Sequence, residues 1–165
     1  MSVETDVNYE TAQTPAITSA QSLASDTTAG LLVACSAAID NTSVIALDFL
    51  VFLTITYPNS APTTAYLTAY YAAYNGSAWA DDGYGDAADG TDQTITIGSP
   101  TSLKYAGTIA VVQNQIAASV ALLSPATVFG VVPQKFCVVV HNGSGQTLSA
   151  SGHSVRAVPV TAITA

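Results

Sequence analysis

The one concentration of side chains able to hold a metal is Asp81, Asp82, Asp86, Asp89 and Asp92, five carboxylates spaced by Gly83, Gly85 and Gly90. Calcium takes six to eight hard oxygen ligands in a flexible geometry, and carboxylates separated by glycines can fold around it. The spacing departs from the EF-hand loop, which needs acids at positions one, three and five, Gly at six and Glu at twelve. Counted from Asp82, the third position is Tyr84 and the sixth is Ala87. A solvated acidic loop between two strands is the favoured reading, calcium on that loop is the alternative, and no other metal or cofactor is expected.

Catalytic groups are sparse. His141 and His153 flank a predicted C-terminal hairpin and could meet across it, but zinc asks for three or four protein ligands. Nucleophilic catalysis asks for nucleophile, base and orienting carboxylate in one cleft. The early strands hold only Asp40 and Asp48 as acids, the glutamates are Glu4 and Glu10, and Gly143-Ser144-Gly145 is no G-x-S-x-G elbow. No catalytic residue and no enzymatic activity are expected. Cys35 and Cys137 lack the paired spacing of a zinc site and read as two buried thiols rather than a disulfide. The triplets starting at Asn41, Asn75 and Asn142 fit N-x-S/T and read as turn chemistry.

Aromatic residues concentrate at Tyr66, Tyr70, Tyr71, Tyr74, Trp79 and Tyr84. On a strand, Tyr66, Tyr70 and Tyr74 share one face and Tyr71 takes the other with Leu67 and Ala69. Tyrosine joins a large contact area to a polar tip, so Tyr66, Tyr70, Tyr74 and Trp79 are candidates for a subunit interface or a sugar platform. Ordinary packing under a loop is the third reading.

The elements that must carry these groups follow from pattern. A chain of 165 residues is one domain by size. Its 3 Lys+Arg against 11 Asp+Glu leave a net charge of −8, and three cations cannot form the stripe that binds nucleic acid or an anionic bilayer. With 49 % hydrophobic and 8 % charged residues, the body should fold. The opening MSVETDVNYETAQTP has acids where a secretory leader has basic residues. The longest apolar run, Val44 to Leu53, is interrupted by Asp48 and is about half of what a spanning helix needs.

Residues 1–29, rich in Ser, Thr, Ala and acids, fit neither a helical nor a strand period and read as an extended arm, mobile or held on a neighbour. Residues 30–165 then form the folded domain. From Ser43 to Tyr57 the odd positions Ile45, Leu47, Phe49, Val51, Leu53, Ile55 and Tyr57 are apolar, which predicts a strand, and Leu50 and Phe52 suggest cover on both faces. Thr63 to Tyr74 reads as its partner across Pro58–Pro62. Shorter strands are expected near 31–39, 94–97, 103–112, 136–141 and 153–160, with a hairpin at Asn142–Gly145, a bulge at Gly152, an edge or strand end at Pro159 and a short helix over 115–124. These elements predict an all-β fold, a single antiparallel sandwich of jelly-roll or immunoglobulin-like type.

The run Val132-Pro133-Gln134-Lys135-Phe136-Cys137-Val138-Val139-Val140-His141-Asn142-Gly143-Ser144-Gly145, followed by Leu148 to Val160, resembles the closing hairpin of small β-sandwich structural proteins in tailed bacteriophage virions. The aromatic strand leading into Asn75-Gly76-Ser77-Ala78-Trp79-Ala80-Asp81 is also similar to such proteins, although His153 stands where Asn is expected. The resemblance implies a capsid decoration, or cement, protein on the virion surface. Its partners would be the major capsid protein or neighbouring subunits, and the chain itself would be a homo-oligomer, with a trimer favoured. The rival reading is a carbohydrate- or receptor-binding sandwich of a phage tail or cell-surface assembly.

Overall fold

Alternation along residues 48–55 builds the wall of a sandwich. The computed structural model describes residues 6–26, 31–57, 66–79, 88–98, 102–110 and 118–163. Strand β4 (Asp48–Ile55) buries Phe49, Val51, Leu53 and Ile55 on one face. It lies between β10 (Ser154–Ile163) and β8 (Ala118–Ala121), and β1 (Asp6–Tyr9) closes the far edge, giving the four-stranded order β1-β10-β4-β8. The second sheet runs β6 (Gln93–Ile97), β2 (Leu31–Cys35), β9 (Lys135–Asn142), β5 (Tyr66–Tyr74), β7 (Lys104–Ala110), with β3 (Ile39–Asp40) extending β2 along β9. Every pairing is antiparallel.

The main core fills the space between the sheets. Phe49 meets Phe136 edge-on at 5.3 Å, and Phe136 meets Tyr71 at 5.5 Å, so an aromatic chain crosses from one sheet to the other. Each such ring, fully withdrawn from water, contributes about 1.5–3 kcal/mol. Tyr71 keeps its polar tip satisfied by donating to the Leu123 carbonyl at 2.9 Å. A second apolar cluster lies on the outer side of the five-strand path: Val33, Cys35, Ala72, Ile95, Cys137 and Val139, covered by Ala88, Leu103 and the half-buried Trp79. That double cover explains the unbroken apolar run Phe136 to Val140, because a strand buried on both faces has no polar side to alternate with.

Four expectations change. Residues 6–26 are part of the domain rather than a mobile arm: β1 pairs with β10, Gln13 bridges Ala157, and Ile17, Ala20 and Leu23 are buried in the main core. Three well-placed apolar residues suffice to seat a polar segment when the receiving groove is already built. Strands β4 and β5 do not pair, and neither do β9 and β10, since each pair is split between the two sheets. Within the segment predicted as a helix, residues 118–121 form β8, and a helical turn comes next, at α1 (Pro125–Phe129), capped by Ser124 and stopped by Gly130 at φ 80°. Pro159 sits in an inner strand, tolerated because β1 ends at Tyr9 and the next contact is the Glu10 amide donating to the Pro159 carbonyl. The Pro58–Pro62 turn lies outside the described residues.

Candidate interaction surfaces

The outer face of the four-stranded sheet carries several exposed apolar residues. Register places Val7 beside Ala162, Tyr9 beside Val160, Leu50 beside Val158 and Phe52 beside Ala121, all on the side away from the core. Val7, Tyr9 and Leu50 are 53 %, 60 % and 43 % exposed. The charges on the outer positions of these four strands are Asp48 and Arg156. Asp48 is already engaged, accepting from the amides of Phe49 and Ala126. β1 pairs with residues 160–163 of β10 and β8 with residues 52–55 of β4, so the apolar outer positions run diagonally across the sheet.

The rim adds a strained residue. Ile45 holds φ 53° and is 78 % exposed, although a β-branched side chain disfavours the left-handed region. It is held by the Asn41 side chain, whose Oδ1 accepts the Ala46 amide at 2.6 Å, and by its own amide on the Asn41 carbonyl. Ile45 lines a shallow groove with Asn41, Thr42, Val132 and Gln134. The adjoining exposed Leu47 donates its amide to Val160, tying this rim to the apolar face. The expectation that the middle of β4 is covered on both sides therefore fails at Leu50, and the odd positions Ile45 and Leu47 fall before the strand and point to solvent.

The aromatic candidates divide. Tyr66 is exposed at the start of β5, and Tyr70 stacks edge-on with the exposed Tyr105 at 6.4 Å, so Tyr66, Tyr70 and Tyr105 share the outer side of β5 and β7. Tyr105 is absent from the sequence-derived candidates because only the β5–β7 register brings it there. Tyr74 and Trp79 instead hold a flap down: their rings lie 5.6 Å apart, the Tyr74 hydroxyl donates to the Gly76 carbonyl, and the two residues form an isolated bridge. Gly90, at φ 73°, makes room for the indole, since a Cβ there would lie 2.4 Å from Trp79 Cζ2.

Of the acidic loop, Asp81, Asp82 and Asp86 lie outside the described residues. Asp89 accepts from the Thr91 amide and the Gln93 side chain. The Asp92 carboxylate accepts from the amides of Thr18 and Ser19 and from the Thr18 hydroxyl, binding the 3-10 turn Thr18–Ala20 to β6. Partial burial pushes its pKa up, and these hydrogen bonds outweigh that, holding it below the usual carboxylate range. Asp92 therefore serves as a fastener for the N-terminal segment. Among the described residues no group of three or more His, Cys, Asp or Glu is placed to hold a metal ion, and no helix is long and apolar enough to cross a membrane.

The histidines are separated by the split of β9 and β10 between sheets. His141 contacts the Asp26 carbonyl through Nε2 at 3.2 Å. His153 precedes β10, with Nε2 on the Ser149 carbonyl and Nδ1 accepting the Thr56 amide, and burial pushes its pKa down. The three asparagines of the N-x-S/T triplets all bond locally to backbone. Asn142 does most: fully buried, it donates to the carbonyls of Leu23 and Gln146 and accepts from the Ser144 amide and hydroxyl. No family model, curated protein or solved structure matches the chain.

Proposed function

We propose that the chain is a non-enzymatic structural subunit of a virion, of the capsid-decoration type, which docks on an assembled protein shell through the outer face of its four-stranded sheet. The observation that carries this reading is the set of apolar residues on that face, Val7, Tyr9, Leu50, Phe52, Val158 and Val160, of which Val7, Tyr9 and Leu50 are exposed, beside the strained and exposed Ile45. A face with exposed apolar side chains and few charges matches the core of a protein–protein contact. Its lack of a basic cluster suits neither a nucleic acid nor an anionic bilayer. The virion assignment itself draws on the resemblance of the Val132–Gly145 and Leu148–Val160 runs to phage sandwich proteins. A subunit that binds only the assembled shell stabilises that state in proportion to its occupancy, and repeated copies multiply modest contacts. Its own copies cluster on the shell, as trimers in the favoured arrangement.

The test is cosedimentation with empty expanded shells of the source virus. Binding should saturate and should raise the temperature at which the shells come apart; shells that leave the chain in the supernatant contradict the reading. A sugar-binding role is the second reading, favoured by the exposed Tyr66–Tyr70–Tyr105 end of the other sheet. It predicts thermal stabilisation by a glycan that Tyr105→Ala abolishes.

A further inference from the structure

Two thiols that lie far apart in sequence meet inside the protein. Cys35, at the end of β2, and Cys137, in β9, are both fully buried, and their sulfurs are 3.2 Å apart. A disulfide bond is about 2.05 Å long, so joining them brings the two sulfurs about 1.2 Å closer. The strands that carry them are already fixed side by side. Cys35 pairs with Val139, and the ladder continues through the Ser36 amide on the Val138 carbonyl and the Val138 amide on Ser36 Oγ. Among the described residues Ala88, Leu103 and the half-buried Trp79 pack over the cluster, and Trp79 rests on Gly90, whose backbone, with that of Ala72, hydrogen-bonds to the Cys137 sulfur.

We propose that Cys35 and Cys137 form a latent intramolecular disulfide site, closed by exchange with a small disulfide such as oxidised glutathione when the protein meets an oxidising medium. The thiolate of one cysteine attacks a sulfur of the small disulfide, one small thiolate leaves and takes up a proton, and a mixed disulfide remains. The second cysteine, deprotonated, attacks the protein sulfur of that mixed disulfide, forms the Sγ–Sγ bond and expels the second small thiol. Two protein thiols are oxidised and one small disulfide is reduced to two thiols. The bond clamps β2 to β9 at the centre of the second sheet and closes a loop of about a hundred residues, where a cross-link constrains the unfolded chain most.

The closed pair reacts slowly. The hydrogen bond to Cys35 and complete burial hold the Cys137 thiol well above the ordinary thiol range, so the attacking thiolate is scarce in the folded protein. The test is therefore an equilibrium one, on the full chain unfolded in urea and refolded across a series of glutathione redox ratios. Expected are loss of both titratable thiols and of two hydrogens in mass, in a species that is monomeric in denaturant, with Tm raised by about 5–15 °C and restored by dithiothreitol. The folded chain should close the bond at a glutathione ratio at least tenfold more reducing than the chain held in urea. Cys35→Ala and Cys137→Ala should each fold without showing the shift. Two free thiols after oxidative refolding, a bond that forms between chains, or equal ratios for folded and urea-held protein would overturn the proposal. None of these outcomes depends on the shell-binding reading.

Discussion

Single residues do two different jobs in this protein. Asn142 satisfies four hydrogen bonds at complete burial and reaches back to Leu23, which makes it the lock between the C-terminal turn and the N-terminal segment. Removing a buried group strands its partners, at about 1–3 kcal/mol for each one left unsatisfied. Asn142→Ala should cost about 2–4 kcal/mol and lower Tm by about 5–15 °C, measured by thermal and urea unfolding. Tyr57 is the opposite case: buried in the core, its hydroxyl finds no hydrogen-bond partner among the described residues. Burial pushes its pKa up to about 12, above the ordinary value of 10.0. The folded state therefore keeps a proton that the unfolded chain loses, and stability falls as pH rises from 10 towards 12. Tyr57→Phe should be neutral or stabilising by up to about 1 kcal/mol at pH 7, and should remove part of the alkaline fall in a urea-midpoint profile.

At the scale of elements, the N-terminal segment is the instructive case. Because Ile17, Ala20 and Leu23 belong to the core and Asp92 ties down the turn between them, deleting residues 1–25 should collapse stability rather than leave an intact body. Loss of three buried apolar side chains is worth about 4 kcal/mol or more, and circular dichroism on heating should show a broad or absent transition. A cooperative melt within a few degrees of the full chain would contradict the seating of this segment. The same segment shows where sequence reading stops. The strands themselves were legible, since alternation at Phe49 to Ile55 and the apolar block Phe136 to Val140 are local signals. Which sheet each strand joins was not: Pro and Asn-Gly mark that the chain reverses, but a reversal that closes a ladder and one that crosses a sandwich use the same residues. The helix was misplaced because Ile116, Val120 and Leu123 have helical spacing, whereas the stronger marker, Ser124-Pro125 followed by Gly130, sat just beyond.

The whole molecule buries two apolar layers and leaves a third open. The main core and the Cys35–Cys137 cluster are buried, while on the outer face of the four-stranded sheet Val7, Tyr9 and Leu50 stay exposed. In the sequence that face was half visible, in Leu50 and Phe52, yet alternation alone made them look like a second buried side. Tyr9 and Val7 joined it only once β1 paired with β10. Its exposure makes a clean test available, because a substitution at an exposed position away from caps and turns leaves stability within about 0.5 kcal/mol. The most direct measurement is the affinity of the wild-type chain and of Leu50→Asp for the empty expanded shells invoked by the proposed function, with the Tm of each free protein recorded alongside. Docking through this face predicts saturable wild-type binding, a loss of at least about tenfold for Leu50→Asp, and closely similar Tm values. Equal binding of the two proteins, or no binding by the wild type, would contradict it.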